Sequence, residues 1–155
     1  MFSIRTAEES DRRALAELFA AVVEENVGLG TEPPVDVEAR ATSYNLDGVF
    51  VAVAGGVPVG SIHVYGGRHG FVEVGMAVIR EWRGRGIGSA LMDAAEQWAR
   101  ANGHHKLSLS VFAHNEAAIA LYRKHGFVEE GRRVKHYRRK NGELWDSIEM
   151  GKLLL

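Results

Sequence analysis

The stretch from Phe71 to Phe112 constrains the fold most, because its hydrophobic pattern changes from strand to helix and back to strand. Phe71 to Ile79 and Lys106 to Phe112 are rich in apolar, β-forming residues, and each run predicts a strand. Between them, Ile87 to Ala101 has apolar residues at helical spacing: Leu91, Ala94, Ala95 and Trp98. A strand–helix–strand unit predicts a right-handed crossover that makes the two strands parallel within one sheet.

The flanking segments predict antiparallel strands joined by tight turns. Two β-rich runs surround Gly55-Gly56, and two more surround Asn141-Gly142, a dipeptide typical of short hairpins. These four strands are predicted over Val49–Ala54, Val57–Tyr65, Phe127–Arg139 and Leu144–Leu153.

The remaining segments predict one short strand and three helices. The strand is Phe2 to Arg5; the helices run from Ser10, with Ser10-Asp11 as cap, to Glu25, from Val35 to Leu46, and from Asn115 to His125. The order β-α-α-β-β-β-α-β-α-β-β predicts a mixed α/β (α+β) fold. Because 155 residues are about one domain, we expect a single domain over residues 1–155.

Composition excludes several classes of protein. Hydrophobic residues make up 46% and charged residues 25% of the chain, a balance that argues against disorder. The chain has no cysteine, which excludes a disulfide framework, a thiolate metal site and a cysteine nucleophile, and which fits a cytoplasmic protein. The net charge of −1 gives no global basic field that would attract nucleic acid or anionic lipid.

Membrane and metal sites are not expected either. No basic segment followed by an apolar one begins the chain, and no apolar run approaches the roughly 20 residues that span a bilayer. None of the seven histidines shows metal-ligand spacing. The sequence therefore predicts no signal peptide, no membrane association and no metal.

A glycine-rich loop joins the strand that ends at Ile79 to the helix that begins at Ile87. Its sequence, Arg83-Gly84-Arg85-Gly86-Ile87-Gly88, combines glycines that allow close approach of the backbone to a ligand with two arginines. The start of a helix adds unpaired N–H groups and a positive dipole end, so the loop predicts an anion site suited to a pyrophosphate. The alternative is a tight turn with solvated arginines. The motifs of nucleoside triphosphate loops and of dinucleotide folds do not match here.

This loop also resembles a motif of a known family. Arg83-x-x-Gly86-x-Gly88 is similar to the acetyl-coenzyme A pyrophosphate loop of the GNAT N-acetyltransferase superfamily, and Val78 to Trp82 resembles the usual lead-in to that loop. The segment from Asn115 to Phe127 resembles a second hallmark of the family. In it, Asn115 is followed seven residues later by Tyr122 and then by Gly126-Phe127.

The resemblance extends over nearly the whole chain and includes the order of elements. It implies a GNAT-type mixed, mostly antiparallel central sheet of about seven strands with about four helices, splayed between strands 4 and 5. It also implies an acetyl-CoA-dependent N-acetyltransferase that moves the acetyl group directly to a primary amine. The favoured acceptor is a small amine or an amino acid; the alternatives are a protein N-terminus or lysine.

The resemblance further implies the residues that bind the acyl donor. Backbone groups of Met76, Ala77 and Val78 would pair with the pantetheine arm, and an N–H group near Met76 and Ala77 would stabilise the charge on the thioester oxygen. Asn115 would contact the arm. The pyrophosphate would be bound by the loop and the first turn of the helix: Arg83, Gly84, Arg85, Gly86, Ile87, Gly88 and Ser89.

Two side chains are candidates for acid–base catalysis. Tyr122 would protonate the departing thiolate as a general acid, or only hold the sulfur; the alternative is a core tyrosine beside Phe127. Glu73 would accept the proton of the amine, directly or through water. Alternatively, Glu73 faces solvent or pairs with an arginine, and ordered water acts as the base. Other candidates could contact the acceptor or simply belong to the surface or core: Glu24, Glu25, Tyr44 and His63.

Two further features leave alternatives open. Six of the nine residues from Arg132 to Lys140 are Lys or Arg; they predict the solvated face of the last hairpin, or a surface that attracts coenzyme phosphates, an acidic acceptor or RNA. A non-catalytic acyl-CoA- or RNA-binding module with the same fold is the rival interpretation. The apolar end, Leu153-Leu154-Leu155, is compatible with a homodimer. We expect acceptor specificity to depend on Asn26 to Leu46 and on the last hairpin.

Overall fold

One mixed sheet of seven strands organises the protein, and the computed structural model describes all residues 1–155. The strands are β1 Ser3–Thr6, β2 Val49–Ala54, β3 Val57–Gly66, β4 Phe71–Val78, β5 Lys106–Phe112, β6 Val128–Arg138 and β7 Leu144–Leu153. Their spatial order is β1-β2-β3-β4-β5-β7-β6, and only β4 and β5 are parallel. The predicted fold class, the two hairpins and the parallel pair are confirmed.

Four α-helices flank the sheet. They are α1 Arg12–Glu25, α2 Val37–Ser43, α3 Ile87–Ala101 and α4 Glu116–Lys124, with short 3-10 turns over Glu9–Asp11 and Arg80–Trp82. The bounds of α3, β5 and β7 agree with the prediction to the residue, whereas α2 is shorter than predicted. No helix is long and apolar enough to cross a lipid bilayer.

The start of α1 differs from the predicted cap. The helix begins at Arg12, and the side chain of Asp11 makes no capping bond to it. Instead, the Asp11 carboxylate accepts from the Glu8 N–H group at 2.7 Å and pairs with Arg5 at 2.7 and 2.9 Å. The Arg5 guanidinium lowers the pKa of Asp11. The cap prediction is wrong because this carboxylate stabilises the preceding 3-10 turn and ties it to β1.

The core consists of separate hydrophobic clusters on the two faces of the sheet. Neighbouring side chains of a strand point to opposite faces, so Val51 joins the cluster with α1 and Ala52 joins the cluster with α3. On the α3 side the helix contributes five buried residues: Ile87, Leu91, Met92, Ala95 and Ala99. The opposite face is covered by α1 and α2, through Leu15, Ala16, Leu18, Val22 and Tyr44.

The parallel strands β4 and β5 separate soon after they begin. They pair only at Phe71–Lys106, Val72–Leu107 and Glu73–Ser108. Beyond this point β4 stays paired with β3 as far as Val78, and β5 stays paired with β7 as far as Phe112. The sheet is therefore split between its fourth and fifth strands, and the opening is called the wedge below.

Candidate active site

The wedge leaves one edge of β4 without a strand partner. Met76, Ala77 and Val78 pair with β3 on one side, and β5 has already diverged on the other. An unpaired strand edge presents backbone N–H and C=O groups that an extended ligand can bind in the manner of another strand. The three residues predicted to bind the pantetheine arm lie on this edge.

The glycine-rich loop follows β4 and presents a row of free N–H groups. The backbone N–H groups from Gly84 to Ser89 make no hydrogen bond within the protein. Gly84 and Gly86 have φ angles of +75° and +85°, a conformation that side chains disfavour. A Cβ atom at either position would meet nothing within 4 Å, so the requirement for glycine comes from the backbone conformation. Free N–H groups at the start of α3 make an anion site.

Gly88 and Ser89 fix the packing around the first turn of α3. A Cβ atom on Gly88 would lie 2.8 Å from Cδ2 of Leu121 and 3.5 Å from Cε of Met76, so α3 approaches both α4 and β4 closely here. The Ser89 hydroxyl lies 3.0 Å from Nε2 of His125, which holds it in place. The loop, the open edge of β4 and α4 therefore meet at one point.

The two arginines of the loop have different surroundings. Arg83 donates to both carboxylate oxygens of Glu25 at 2.7 Å and to the carbonyl oxygen of Val78 at 2.9 Å. This pairing lowers the pKa of Glu25. Arg85 is exposed and lies over the ring of Trp82, at 4.4 Å from its centroid. Arg85 has no carboxylate partner, whereas Arg83 ties the loop to the end of α1.

Asn115 and Tyr122 lie at the start and in the last turn of α4. Asn115 is the N-cap, and its side-chain oxygen accepts from the N–H group of Ala118 at 3.3 Å. Tyr122 packs against the main core and against Phe127, with ring centroids 5.8 Å apart. The spacing of seven residues thus places both side chains on the helix that borders the wedge.

The Tyr122 hydroxyl is available to contact a ligand. It makes no hydrogen bond to the protein and is not sealed from solvent, although the ring is largely enclosed. Burial raises the pKa of Tyr122 to about 12. The hydroxyl is therefore protonated at neutral pH and free to donate a hydrogen bond to a ligand, but the raised pKa makes it a weaker acid than an exposed tyrosine.

Glu73 is exposed at the last pair of β4 and β5, where the wedge begins. It forms no ion pair with any arginine. Across the sheet it pairs with Tyr65, and burial together with the charge of Glu73 raises the pKa of that tyrosine. Glu73 is thus a free carboxylate at the rim of the wedge.

A cavity of about 400 Å³ lies on the α1 and α2 side of the open strand edge. Most of its lining is apolar or aromatic, with several polar groups: Phe19, Leu29, Arg40, Ser43, Tyr44, Asn45, Val49, Ser61, His63, Val64, Tyr65, Gly75, Met76 and Ala77. Of the four residues predicted to contact an acceptor, Tyr44 and His63 line the cavity. Glu24 is exposed outside it, and Glu25 is held by Arg83.

His63 and Tyr44 form the polar wall of this cavity. Their rings lie 5.2 Å apart, and His63 pairs with Gly75 on the open strand. Burial, reinforced by the charge of Arg40, lowers the pKa of His63 to about 4. The imidazole is therefore neutral at physiological pH. No group of three or more His, Asp or Glu side chains is arranged to hold a metal ion.

The segment between α1 and α2 is clamped to the last hairpin. Arg139 donates to the carbonyl oxygen of Gly30 at 2.9 Å and to Oδ1 of Asn26 at 2.7 Å, while its guanidinium lies 4.1 Å from the ring centroid of Trp145. His114, just beyond β5, donates from Nε2 to the carbonyl oxygen of Val27 at 2.7 Å. The segment Asn26 to Pro34, which the sequence predicts to help determine acceptor specificity, is called the acceptor loop below. It joins the end of α1 to the far side of the wedge.

The basic stretch of β6 is only in part the solvated face that the sequence predicted. Arg132 pairs with Asp146 at 2.7 Å and Arg133 with Glu149 at 3.2 Å, and both arginines are exposed. Arg139, in contrast, is only 4% exposed. The prediction is wrong for this residue because its guanidinium is surrounded by two aromatic rings, Phe112 and Trp145, and by oxygens of the acceptor loop, including the Glu32 carboxylate.

Two arginines at the candidate site are not indicated by the motifs of the sequence. Arg40 lines the cavity and Arg139 clamps the acceptor loop. The spacing of Arg40 could have indicated its position, because it lies four residues before Tyr44 on a predicted helix and so shares a face with it. No local pattern indicates the role of Arg139, because the loop oxygens that it binds belong to residues more than a hundred positions away.

Comparison with known proteins agrees with this geometry. The pattern of the Acetyltransferase (GNAT) family matches residues 13–127. An L-amino acid N-acetyltransferase of Escherichia coli is 35% identical over 85 residues, which are 52% of this chain and 50% of that protein. The chain thus spans about half the length of this curated relative.

Solved structures match over almost the full chain. A ribosomal-protein-alanine N-acetyltransferase from Brucella melitensis is 33% identical, with a TM-score of 0.88 over 98% of this chain and 99% of that one. A phosphinothricin acetyltransferase from Sinorhizobium meliloti, solved in complex with acetyl-CoA, has a TM-score of 0.86 over 99% and 88% of the two chains at 24% identity. With a split sheet, a free N–H row and a family pattern covering most of its length, the chain belongs to the GNAT family of acetyl-CoA-dependent acetyltransferases.

Proposed function

We propose that this chain, as a single domain, transfers the acetyl group of acetyl-CoA directly to the primary amine of a small molecule or amino acid. One observation carries the proposal. The open edge of β4 runs from the free N–H groups of the Gly84–Ser89 loop to a cavity of about 400 Å³ that can hold an acceptor. A donor site and an acceptor site thus meet along Gly75 to Ala77.

The loop and the strand edge would bind the acyl donor. The N–H groups of Gly84 through Ser89 would bind the pyrophosphate, and Arg83 and Arg85 would add positive charge. Backbone groups of Met76 to Val78 would pair with the pantetheine arm, and the Asn115 amide nitrogen, which its capping bond leaves free, would contact the same arm. The N–H groups of the loop are available for this, because they have no partner in the protein.

The chemical step forms one bond and breaks another. The amine nitrogen attacks the thioester carbonyl carbon, a C–N bond forms, and the C–S bond then breaks. A backbone N–H group near Met76 and Ala77 stabilises the negative charge on the carbonyl oxygen, a contribution of about 3 kcal/mol. Tyr122 gives its proton to the departing sulfur, and Glu73, directly or through water, takes the proton that the amine loses.

The acceptor class has a runner-up. The Brucella relative is named for acting on a ribosomal protein's alanine, which favours a protein N-terminus as the second candidate. The cavity volume of about 400 Å³ favours the small acceptor. The free hydroxyl of Tyr122 argues against a module that only binds coenzyme or RNA, because binding alone does not need a proton donor. We further propose a cytoplasmic location, supported by the use of acetyl-CoA, and a homodimer, supported by exposed Leu153 and Leu155.

Calorimetry and a thiol assay test the proposal together. We expect acetyl-CoA to bind with one site per chain and free thiol to appear when small amines are added. Coenzyme binding without thiol release from any amine or peptide would support the binding-module interpretation. No binding at all would contradict the assignment of the loop.

A further inference from the structure

The acceptor cavity contains one charged side chain that lacks a counter-ion. Arg40, on α2, is the only Arg, Lys, Asp or Glu among its lining residues. Most other arginines near the site have a carboxylate within 4 Å, as Arg83 and Arg139 do, but Arg40 has none. An unpaired cation in a mostly apolar cavity attracts an anionic ligand.

The guanidinium of Arg40 is held through its central carbon and Nε atom, whereas its terminal nitrogens are free. Its central carbon lies 3.6 Å from the ring centroid of Phe19, and its Nε atom donates to the hydroxyl of Tyr44 at 3.3 Å. The two terminal nitrogens make no hydrogen bond to the protein. A guanidinium fixed at Nε presents these nitrogens as a planar fork, the geometry that binds both oxygens of a carboxylate.

The other side chains of the cavity leave this charge unbalanced. Ser43, Asn45 and Ser61 are neutral, and His63 is uncharged at physiological pH because burial and Arg40 itself lower its pKa. No acidic side chain competes with a bound anion. The cavity therefore carries a net positive charge beside the strand edge where the acetyl group would be delivered.

We propose that Arg40 binds the carboxylate of the acceptor, so that the substrate is a free amino acid rather than a simple amine or a peptide. This inference rests on the proposed function, which it narrows. A peptide N-terminus has its first carboxyl group in an amide bond and offers no charge to Arg40. A volume of about 400 Å³ accommodates an amino acid but not a folded chain.

Matched acceptors test the inference without any variant. Each proteinogenic L-amino acid is compared with its own carboxamide, which keeps the amine and the side chain but removes the negative charge. We expect kcat/KM to favour the acid about 10- to 150-fold, the effect of hydrogen bonds to a charged group. Equal or better use of the amides across the panel would overturn the role of Arg40.

Variants assign the preference to one residue. Arg40→Met should remove the preference for acids, mainly by raising KM, and Arg40→Lys should retain part of it. Arg13→Met is the matched control, because Arg13 is exposed on α1 outside the cavity. Calorimetry with acetyl-CoA, whose site does not include Arg40, checks that each variant is folded. A variant Arg40→Met that still prefers acids would overturn the proposal.

A binding measurement separates failure of this inference from failure of the proposed function. If acetyl-CoA binds but no acceptor is turned over, titration of the acetyl-CoA complex with the same amino acids tests the carboxylate site. Binding that Arg40→Met abolishes supports the carboxylate site, and absence of binding overturns it. Loss of acetyl-CoA binding in the wild type would instead contradict the proposed function itself.

Discussion

Arg83 and Glu25 form a two-bond ion pair between residues 58 positions apart, with both N–O distances at 2.7 Å. Arg83 also donates to the carbonyl oxygen of Val78 at the end of β4. The loop predicted to bind pyrophosphate is therefore fixed to the helix from which the acceptor loop departs. The proposed donor and acceptor sites therefore share this point of attachment.

Glu25→Gln and Arg83→Gln both break this pair, but only the second removes a positive charge from the loop. If Arg83 acts on the coenzyme directly, Arg83→Gln should weaken acetyl-CoA binding and Glu25→Gln should not. Because Arg83 is partly exposed, we expect Glu25→Gln to lower the free energy of unfolding by only about 0.5 to 1 kcal/mol. Calorimetry and urea unfolding measure the two effects. Equal losses of affinity would show that the pair acts only by positioning the loop.

Gly86→Ala should weaken acetyl-CoA binding more than it affects folding. The φ angle of +85° costs a residue with a Cβ atom about 1 to 2 kcal/mol, and relaxation would turn the free N–H groups away from the ligand. Gly55→Ala is the matched control, since Gly55 also has a positive φ and open space around it but lies in the β2–β3 turn. Thermal unfolding and calorimetry of both variants provide the comparison. The same loss of affinity in both would contradict a binding role for the loop.

Tyr122→Phe should reduce kcat by about 100-fold or more while leaving stability within about 0.5 kcal/mol of the wild type. The stability change is small because the hydroxyl has no hydrogen-bond partner in the protein. Steady-state thiol release and urea unfolding measure the two effects. Tyr137→Phe, at an exposed tyrosine of β6, is the control. Retention of full kcat at every pH would contradict the general-acid role.

Glu73→Gln should flatten the rise of kcat/KM with pH if Glu73 accepts the proton of the amine. The substitution removes the base but keeps the size of the side chain, and Glu73 has no ion pair whose loss would complicate the result. Glu129→Gln, also exposed, serves as the control. An unchanged pH profile would assign proton removal to ordered water.

His63 makes stability depend on pH. Its pKa in the folded protein is about 4, whereas an unfolded histidine titrates near 6.5, so the unfolded chain binds a proton first as pH falls. Stability is complete above the unfolded pKa and declines as pH drops from there toward 4. We expect a loss of roughly 2 kcal/mol between about pH 7 and pH 5. Urea unfolding of wild type and His63→Gln checks this, and an equal decline in both would contradict it.

Much of the framework follows from local patterns in the chain. The spacing of Leu91, Ala95 and Trp98 defines α3, and Asn141-Gly142 defines the last hairpin, because helical and hairpin signals depend on neighbours within a few residues. The glycines of the loop were equally visible, since a positive φ requires them. The position and backbone conformation of the glycine-rich loop could therefore be predicted from the sequence, and its role in binding the acyl donor stays a prediction.

The contacts around the cavity and the acceptor loop could not be predicted, because they form between distant segments of the chain. Arg83 was predicted to contribute charge to the loop, but no local spacing indicates that Glu25 would pair with it. Arg40 meets Phe19 through the packing of α2 on α1, and Arg139 meets Gly30 across most of the chain. Such partners depend on the tertiary arrangement of elements, which periodicity does not encode.

The clamp between Arg139 and the acceptor loop limits how substrate preference can be exchanged between relatives. A chimera that received a foreign Asn26–Pro34 segment with another backbone path and no Asn26 would leave the Arg139 guanidinium buried without the two oxygens it now binds. An unsatisfied buried charge of this kind costs about 3 kcal/mol or more. A graft must therefore transfer the loop and the tip of the last hairpin together, although they are distant in the sequence.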